Sequence, residues 1–343
     1  MWSTLELLDS RQKRPNWKAN GLMKKQWLHR LKHSAIALAT ILVLAAPLCA
    51  EDLQIAVTID DLPIGPPGKH SLAQQQLITS QLLKVLVDHQ VPAVGFVNES
   101  KLEDENGVVD PARVALLQQW LDADMELGNH GYDHLSLHRV DPELWMADIV
   151  KGEQQTRPLV EQAGGELRWF RHPFLHIGRS TEVQTKARTF LNGHGYRIAP
   201  VTIDNGEWMY GGAYADAYVA GDQSAMQILG DDYVRYMLEV VSYYQNQAEL
   251  IVGQTIPQVL LIHAYALNAH YLDRLLTALQ QDGAQWITLD QALEHPAYQR
   301  RVDGYTGAGG ITWLHRWSIT EKMDPSIYAG EPEVPDLEQL VQP

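Results

Sequence analysis

From residue 53 onward the chain alternates short β-rich runs with helical segments, and this alternation restricts its fold more than any other feature. The β-rich runs cover residues 53–59, 92–97, 125–129, 168–171, 196–203, 259–263 and 286–289. Helices are expected between them, because Asp110-Pro111 and Asp141-Pro142 each place an N-cap acid before a proline at the first helical position. The pattern predicts parallel βα units in a single α/β domain.

Two segments depart from the simple alternation. Residues 205–228 are rich in Gly, Ala and Tyr, and we expect them to form a loop over the site that leads into a long helix near residues 230–248. We therefore place a catalytic domain at residues 51–300 and a C-terminal extension at residues 301–343. The Pro/Glu-rich end of the extension has the composition of a loosely ordered tip.

The N-terminal 50 residues predict an export signal. Basic side chains, including Lys24 and Lys25, precede an apolar run at residues 35–46, and the small residue Ala50 follows. The run is shorter than the roughly 20 residues that a membrane-spanning helix needs, so we expect cleavage after Ala50 and no stable membrane span thereafter. Met23 fits the start of such a signal better than Met1. The predicted location of the mature protein is periplasmic or extracellular.

Cysteine content and charge exclude several classes of function. Cys49 is the single cysteine and lies within the predicted signal, so a metal site in the mature chain would use His and carboxylate ligands. The first 50 residues hold eight of the 27 basic and two of the 42 acidic side chains, which leaves 19 against 40, a net charge of −21. Such a surface repels nucleic acids and anionic membranes, so we expect no nucleic-acid partner.

Polar side chains collect where the β-rich runs end. They are Asp60 and Asp61 after the first run, His130 and His134 after the third, Arg171 after the fourth, Asp204 after the fifth and His263 after the sixth. In parallel α/β barrels the reactive residues gather at this end of the strands. Each residue alone is compatible with a cap or a surface polar group, but their common position predicts a functional site.

A metal ion would explain two of these features. The adjacent carboxylates Asp60 and Asp61 repel each other unless a cation or a proton separates their roles. His130 and His134 are spaced to reach one ion from a helical turn or tight loop, although a solvated helix face is the ordinary explanation of such a pair alone. One Asp and two His would leave a coordination position open for water or substrate.

Five segments, read in order, resemble the motifs of the polysaccharide deacetylase (NodB-homology) family, as in carbohydrate esterase family 4. They are TIDD (58–61), ELGNHGYDH (126–134), FRHPF (170–174), DNGEW (204–208) and LLIH (260–263). The resemblance implies a distorted (β/α)7 TIM-like barrel and a divalent metal, most often Zn²⁺. It also implies a hydrolase of carbon–nitrogen bonds other than peptide bonds that removes N- or O-acetyl groups from sugars.

Matched by motif, the resemblance implies that Asp61, His130 and His134 bind the metal and that Asp60 is the general base. The metal would lower the pKa of its water and polarise the acetyl oxygen.

The remaining motif residues receive roles in the same way. The resemblance implies that Arg171 orients the base, that His263 is the general acid, and that Asp204 keeps His263 protonated. A backbone N–H near Phe174 would help to hold the oxyanion, and Trp208 would line the substrate groove.

Three residues differ from the usual motifs. Gly131 stands where the family has a Ser or Thr that braces the metal loop, Phe174 replaces Tyr, and Glu207 replaces Asp. None of these differences removes a metal ligand.

The sequence leaves three functions open. The first is an exported metal-dependent hydrolase that removes acetyl groups from an acetylated glycan or oligosaccharide. The second is a hydrolase of a non-sugar amide with the same site, and the third is a catalytically silent carbohydrate-binding protein. A base and an acid together argue against the third, and the export signal favours a glycan over the second. The fold alone does not choose among them.

Overall fold

Seven short parallel strands form one curled sheet. The computed structural model describes residues 53–342, and its strands are β1 (Gln54–Leu62), β2 (Val94–Val97), β3 (Glu126–Asn129), β4 (Trp169–Phe170), β5 (Arg197–Ile198), β6 (Gln258–His263) and β7 (Gln285–Trp286). The order is β5-β4-β3-β2-β1-β6, and β7 pairs with β1. A parallel bridge between Ile203 and Leu260 links the segment after β5 to β6. The predicted distorted (β/α)7 barrel in a single domain is confirmed.

Helices surround the sheet. They are α1 (Leu72–Asp88), α2 (Pro111–Asp122), α3 (Pro142–Lys151), α4 (Thr156–Gln162), α5 (Thr181–Gly193), α6 (Glu207–Ala220), α7 (Gln223–Val252), α8 (Ala266–Gln281), α9 (Leu289–Leu293), α10 (Trp313–Thr320) and α11 (Leu337–Leu340). The predicted N-caps are confirmed, because Asp110 accepts the N–H of Ala112 and Asp141 accepts that of Glu143, each at 2.9 Å. Among residues 53–342, no helix combines the length and apolar character needed to cross a membrane.

The expected loop at residues 205–228 is wrong, because the segment is helical and forms α6 and the start of α7. Its small residues serve close packing rather than flexibility. A Cβ on Gly211 of α6 would lie 2.0 Å from the ring of Tyr265, so only glycine allows the helix to approach that side chain.

The C-terminal extension packs on the barrel. Trp313 donates its backbone N–H to the carbonyl of Val201 at 2.8 Å, and the buried side chain of Arg316 donates to the carbonyl of Leu175 at 2.7 Å. The tip that was expected to be loosely ordered contributes Glu331, which accepts the hydroxyl of Tyr244 at 2.7 Å. The predicted signal peptide lies outside the described residues, and the domain limits remain predictions.

Candidate active site

One cavity of about 440 Å³ opens at the carboxyl ends of the strands and contains nearly all the predicted site residues. Those that line it are Asp60, Asp61, His130, His134, Phe174, Asp204, Trp208 and His263. Arg171 lies behind Asp60 and is fully buried. As predicted from their positions at the strand ends, residues more than 200 positions apart in the chain share one cavity.

A distortion at the end of β1 explains how two adjacent carboxylates reach the same cavity. In a regular strand Asp60 and Asp61 would point to opposite faces. The register of β1 against β2 shifts between Ile59 and Leu62, and Asp61 has a φ of 73°, in the left-handed region. Such a bulge re-aims a side chain. Asp60 itself is aligned with His263 of β6, so the proposed base and acid start from neighbouring strand positions.

The predicted metal ligands converge. Donor atoms of Asp61, His130 and His134 all lie within 4.8 Å of one another. His130 donates its Nδ1–H to the carbonyl of Arg171 at 2.8 Å, which leaves Nε2 with a free lone pair. That Nε2 lies 3.2 Å from Nε2 of His134. Two imidazole nitrogens bound to one tetrahedral zinc at about 2.0–2.1 Å would be roughly 3.3 Å apart.

The charge states of these groups also suit a divalent cation. Burial lowers the pKa of His130 well below its usual value and that of His134 to about 4, so both imidazoles are neutral ligands at pH 7. Burial alone would raise the pKa of Asp61, but the nearby Lys101 and histidines hold it well below its usual range. A carboxylate and two neutral imidazoles are a ligand set that zinc accepts.

Asp148 braces the loop that carries the two histidines. Its carboxylate accepts the N–H groups of Tyr132 and Asp133, each at 3.0 Å. Gly131 has a φ of 77°, and a Cβ there would lie 2.6 Å from the Asp148 carboxylate. The glycine that replaces the family's Ser or Thr is therefore paired with a different brace, supplied by α3.

Lys101 is a site residue that the sequence did not reveal. It lies in a single helical turn after β2, and its Nζ is 2.9 Å from Oδ1 of Asp61 and 3.0 Å from the Asp61 carbonyl. These contacts fix the backbone and side chain of the proposed ligand. A lone lysine in a short turn gives no periodic or motif signal, so only the three-dimensional structure identifies it.

The surroundings of Asp60 give it a pKa close to neutral pH. Nη1 of Arg171 lies 3.8 Å from Oδ2 of Asp60, while Nη2 donates to Thr58 at 2.7 Å, which fixes the guanidinium behind the carboxylate. Within residues 53–342, Oδ1 of Asp60 has no hydrogen-bond partner. Burial raises the pKa of Asp60 to about 6, against the opposing charges of Arg171 and His263.

The structure differs from the expectation for Asp204, because Glu207 forms the hydrogen bond to His263. Nδ1 of His263 lies 2.6 Å from Oε2 of Glu207, the first residue of α6, and Glu207 also accepts from Asn268 at 2.6 Å. Burial lowers the pKa of His263, but Glu207 outweighs it and raises the value to about 9. Asp204 instead accepts the N–H of Asn205 at 2.9 Å, and burial raises its pKa to about 6. Glu207, three residues after Asp204 in the chain, is therefore the carboxylate that contacts the imidazole.

Two exposed aromatic rings flank the cavity. Phe174 is 47% exposed and Trp208 is 55% exposed. The ring of Phe174 lies 4.4 Å from that of His134, and its backbone has a φ of 58°. The oxyanion role of a backbone N–H near Phe174 and the groove role of Trp208 remain predictions.

Comparison with known proteins covers the first part of the site. The family model described as polysaccharide deacetylase matches residues 49–197, which is less than half of the chain. The matched part includes Asp60, the three proposed metal ligands and Arg171, but not His263. This match confirms the resemblance to polysaccharide deacetylases and the enzyme class, a hydrolase of carbon–nitrogen bonds other than peptide bonds. No curated protein sequence matches the chain.

Several solved structures are similar at low identity. Peptidoglycan deacetylase PdaC from Bacillus subtilis is 20% identical, with 71% of this chain and 91% of that chain covered and a TM-score of 0.43. A family 4 carbohydrate esterase from Streptomyces lividans, in complex with acetate, is 18% identical, with 70% and 95% covered and a TM-score of 0.42. A CE4 family pseudoenzyme from Bacillus anthracis is 15% identical, with 71% and 66% covered and a TM-score of 0.42.

Proposed function

We propose that this protein is an exported, metal-dependent deacetylase that hydrolyses acetyl groups on a glycan or oligosaccharide. The observation that carries the proposal is the common cavity, in which a carboxylate with a near-neutral pKa and an imidazole with a raised pKa lie beside three donor groups placed to hold one metal ion. A binding module would not need Asp60 and His263 in these states.

Asp61, His130 and His134 would hold the metal, which we propose to be zinc. When bound, it supplies Lewis-acid polarisation of the acetyl oxygen and a water of lowered pKa. Arg171 keeps the Asp60 carboxylate oriented, and Asp60 accepts the proton of the attacking water through an oxygen that no protein group occupies among the described residues.

His263 then protonates the departing nitrogen or oxygen. Glu207 stabilises the imidazolium through a buried hydrogen bond, so the acid stays charged at neutral pH. An amine leaving group needs this proton because an amide anion is too basic to leave. The arrangement therefore supports N-acetyl hydrolysis most directly.

The acetylated glycan as substrate and the exported location rest on the sequence. The chain carries a predicted signal peptide, and acetylated polymers outside the cytoplasm are the substrates that such a protein would meet. The net charge of −21 in residues 51–343 favours a substrate recognised locally in the cavity over one attracted at long range.

Acetate release tests the proposed function. Metal-stripped protein and zinc-loaded protein should be compared on chitooligosaccharides, peptidoglycan and acetylated xylan. We expect acetate only after zinc is added, from at least one substrate. The Asp60→Asn variant serves as the matched inactive control. Zinc-loaded wild type that releases no acetate from any N- or O-acetylated glycan would contradict the proposal.

A further inference from the structure

One side of the catalytic cavity carries positive charge that the proposed reaction does not use. Arg139, Arg179 and Arg316 all lie near His138, because the positive charge of each lowers the pKa of that imidazole, and we call these three residues the cationic flank. Arg139 lines the cavity, with its guanidinium 5.7 Å from the centre of the Phe174 ring. None of the three forms an ion pair within residues 53–342, whereas nine other arginines do.

Arg316 is the most unusual of the three, because its charged side chain is buried without an ion pair among the described residues. It is fully buried, donates from Nη2 to the carbonyl of Leu175 at 2.7 Å, and lies 5.3 and 5.4 Å from the ring centres of Tyr305 and Trp313. Its Nε and Nη1 have no partner among the described residues. A buried guanidinium without a carboxylate beside it is costly, so its positive charge is balanced only from a distance, by groups such as Asp204.

Two stacked histidines lie near the arginines and add no negative charge. The rings of His138 and His176 are 3.9 Å apart and nearly parallel. Ser136 is 2.7 Å from Nδ1 of His176, which itself lines the cavity. Burial lowers the pKa of both imidazoles, and the neighbouring arginines lower it further, so the pair is neutral at pH 7. The flank therefore keeps its positive charge.

The rest of the cavity has the opposite character, because Asp60, Asp61 and Asp204 line it. A neutral acetylated sugar would leave the positive charge of Arg139 without a counter-charge. We propose that the cationic flank binds a carboxylate on the substrate, with Arg139 as the residue in contact, so that the enzyme prefers an acidic acetylated sugar. This inference rests on the proposed function and names the substrate class. The planar guanidinium suits a carboxylate because it can donate two parallel hydrogen bonds.

The test compares substrates that differ only in this charge. One pair is an N-acetylated disaccharide with a lactyl-ether carboxylate on the acetylated sugar and its methyl ester. The other pair carries the carboxylate as a uronate on the neighbouring sugar, again with its methyl ester. We expect wild type to favour the free acid of one pair, which locates the carboxylate. Arg139→Ala should lower the ratio of kcat/KM for acid to that for ester about 10- to 100-fold, the usual effect of losing a hydrogen bond to a charged group. Arg139→Lys should lose less of this ratio.

Arg188→Ala is the matched control, because Arg188 is an exposed arginine outside the catalytic cavity. It should leave the ratio unchanged. An Arg139→Ala enzyme that loses acid and ester activity equally would overturn the inference, and so would a wild type that does not distinguish them.

Calorimetry separates the inference from the proposed function. The Asp60→Asn protein should bind the free acid more tightly than the ester, and Asp60→Asn/Arg139→Ala should not. If this binding preference is found but no acetate is released from any substrate, the proposed function fails and the carboxylate site stands. If acetate is released but neither assay shows a preference, the deacetylase stands and the carboxylate site fails.

Discussion

Asp60→Asn should lower kcat on an N-acetylated substrate by about 10² to 10⁴-fold, because the amide cannot accept the proton of the attacking water. The substitution keeps the size of the side chain. Bound zinc should remain near the wild-type level, since Asp60 lies beside the three donor atoms rather than among them. Steady-state kinetics and metal analysis of the same preparation would check both parts.

The matched variant is Asp61→Asn, which alters the neighbouring carboxylate. It should lose bound zinc together with activity, because Asp61 is one of the three donors and is the carboxylate that Lys101 holds in place. If Asp60→Asn lost the metal and regained activity in excess zinc, the roles of the two carboxylates would be reversed.

Glu207→Gln should move the alkaline limb of kcat to lower pH. His263 must be protonated to act as the acid, so activity falls as pH rises through its pKa, which Glu207 raises to about 9. Without that negative charge, burial is the largest remaining influence and favours the neutral imidazole. We expect the limb to shift by at least about one pH unit, a change worth roughly 1.4 kcal/mol. A pH profile on an N-acetylated substrate measures it.

Asp204→Asn is the control for this pairing, because Asp204 lines the same cavity but makes its hydrogen bond to Asn205. Its effect on the alkaline limb should be smaller than that of Glu207→Gln. An aryl acetate should show little shift with either variant, since a phenolate leaves without a proton. An equal or larger shift for Asp204→Asn would contradict the assignment of Glu207.

The sequence predicted the frame of the fold and much of the site. The β-rich runs mark all seven strands because a strand buried in a parallel sheet needs consecutive apolar residues, as in β6. Strand ends in a parallel sheet share an edge, so the sequence alone is enough to group Asp61, His130 and His134.

The features that the sequence did not predict depend on how far individual side chains extend and on how segments pack together. Order along the strands placed Asp204 near His263, but it could not show that Glu207 extends from the first turn of α6 to the imidazole. The glycines of residues 205–228 resemble those of a loop, whereas Gly211 is needed for contact with Tyr265. Lys101 and Arg316 gave no signal because their roles depend on neighbours distant in the chain.

Zinc binding by the purified protein tests the central claim most directly. After chelation and dialysis against a small excess of Zn²⁺, metal analysis should find about one zinc per chain in wild type. His130→Ala and His134→Ala should each lose most of it while their circular dichroism stays that of the folded protein. His176→Ala, which removes an imidazole from the same cavity but not from the donor cluster, should keep it. Wild type without bound zinc, or full occupancy in both His130→Ala and His134→Ala, would contradict the account.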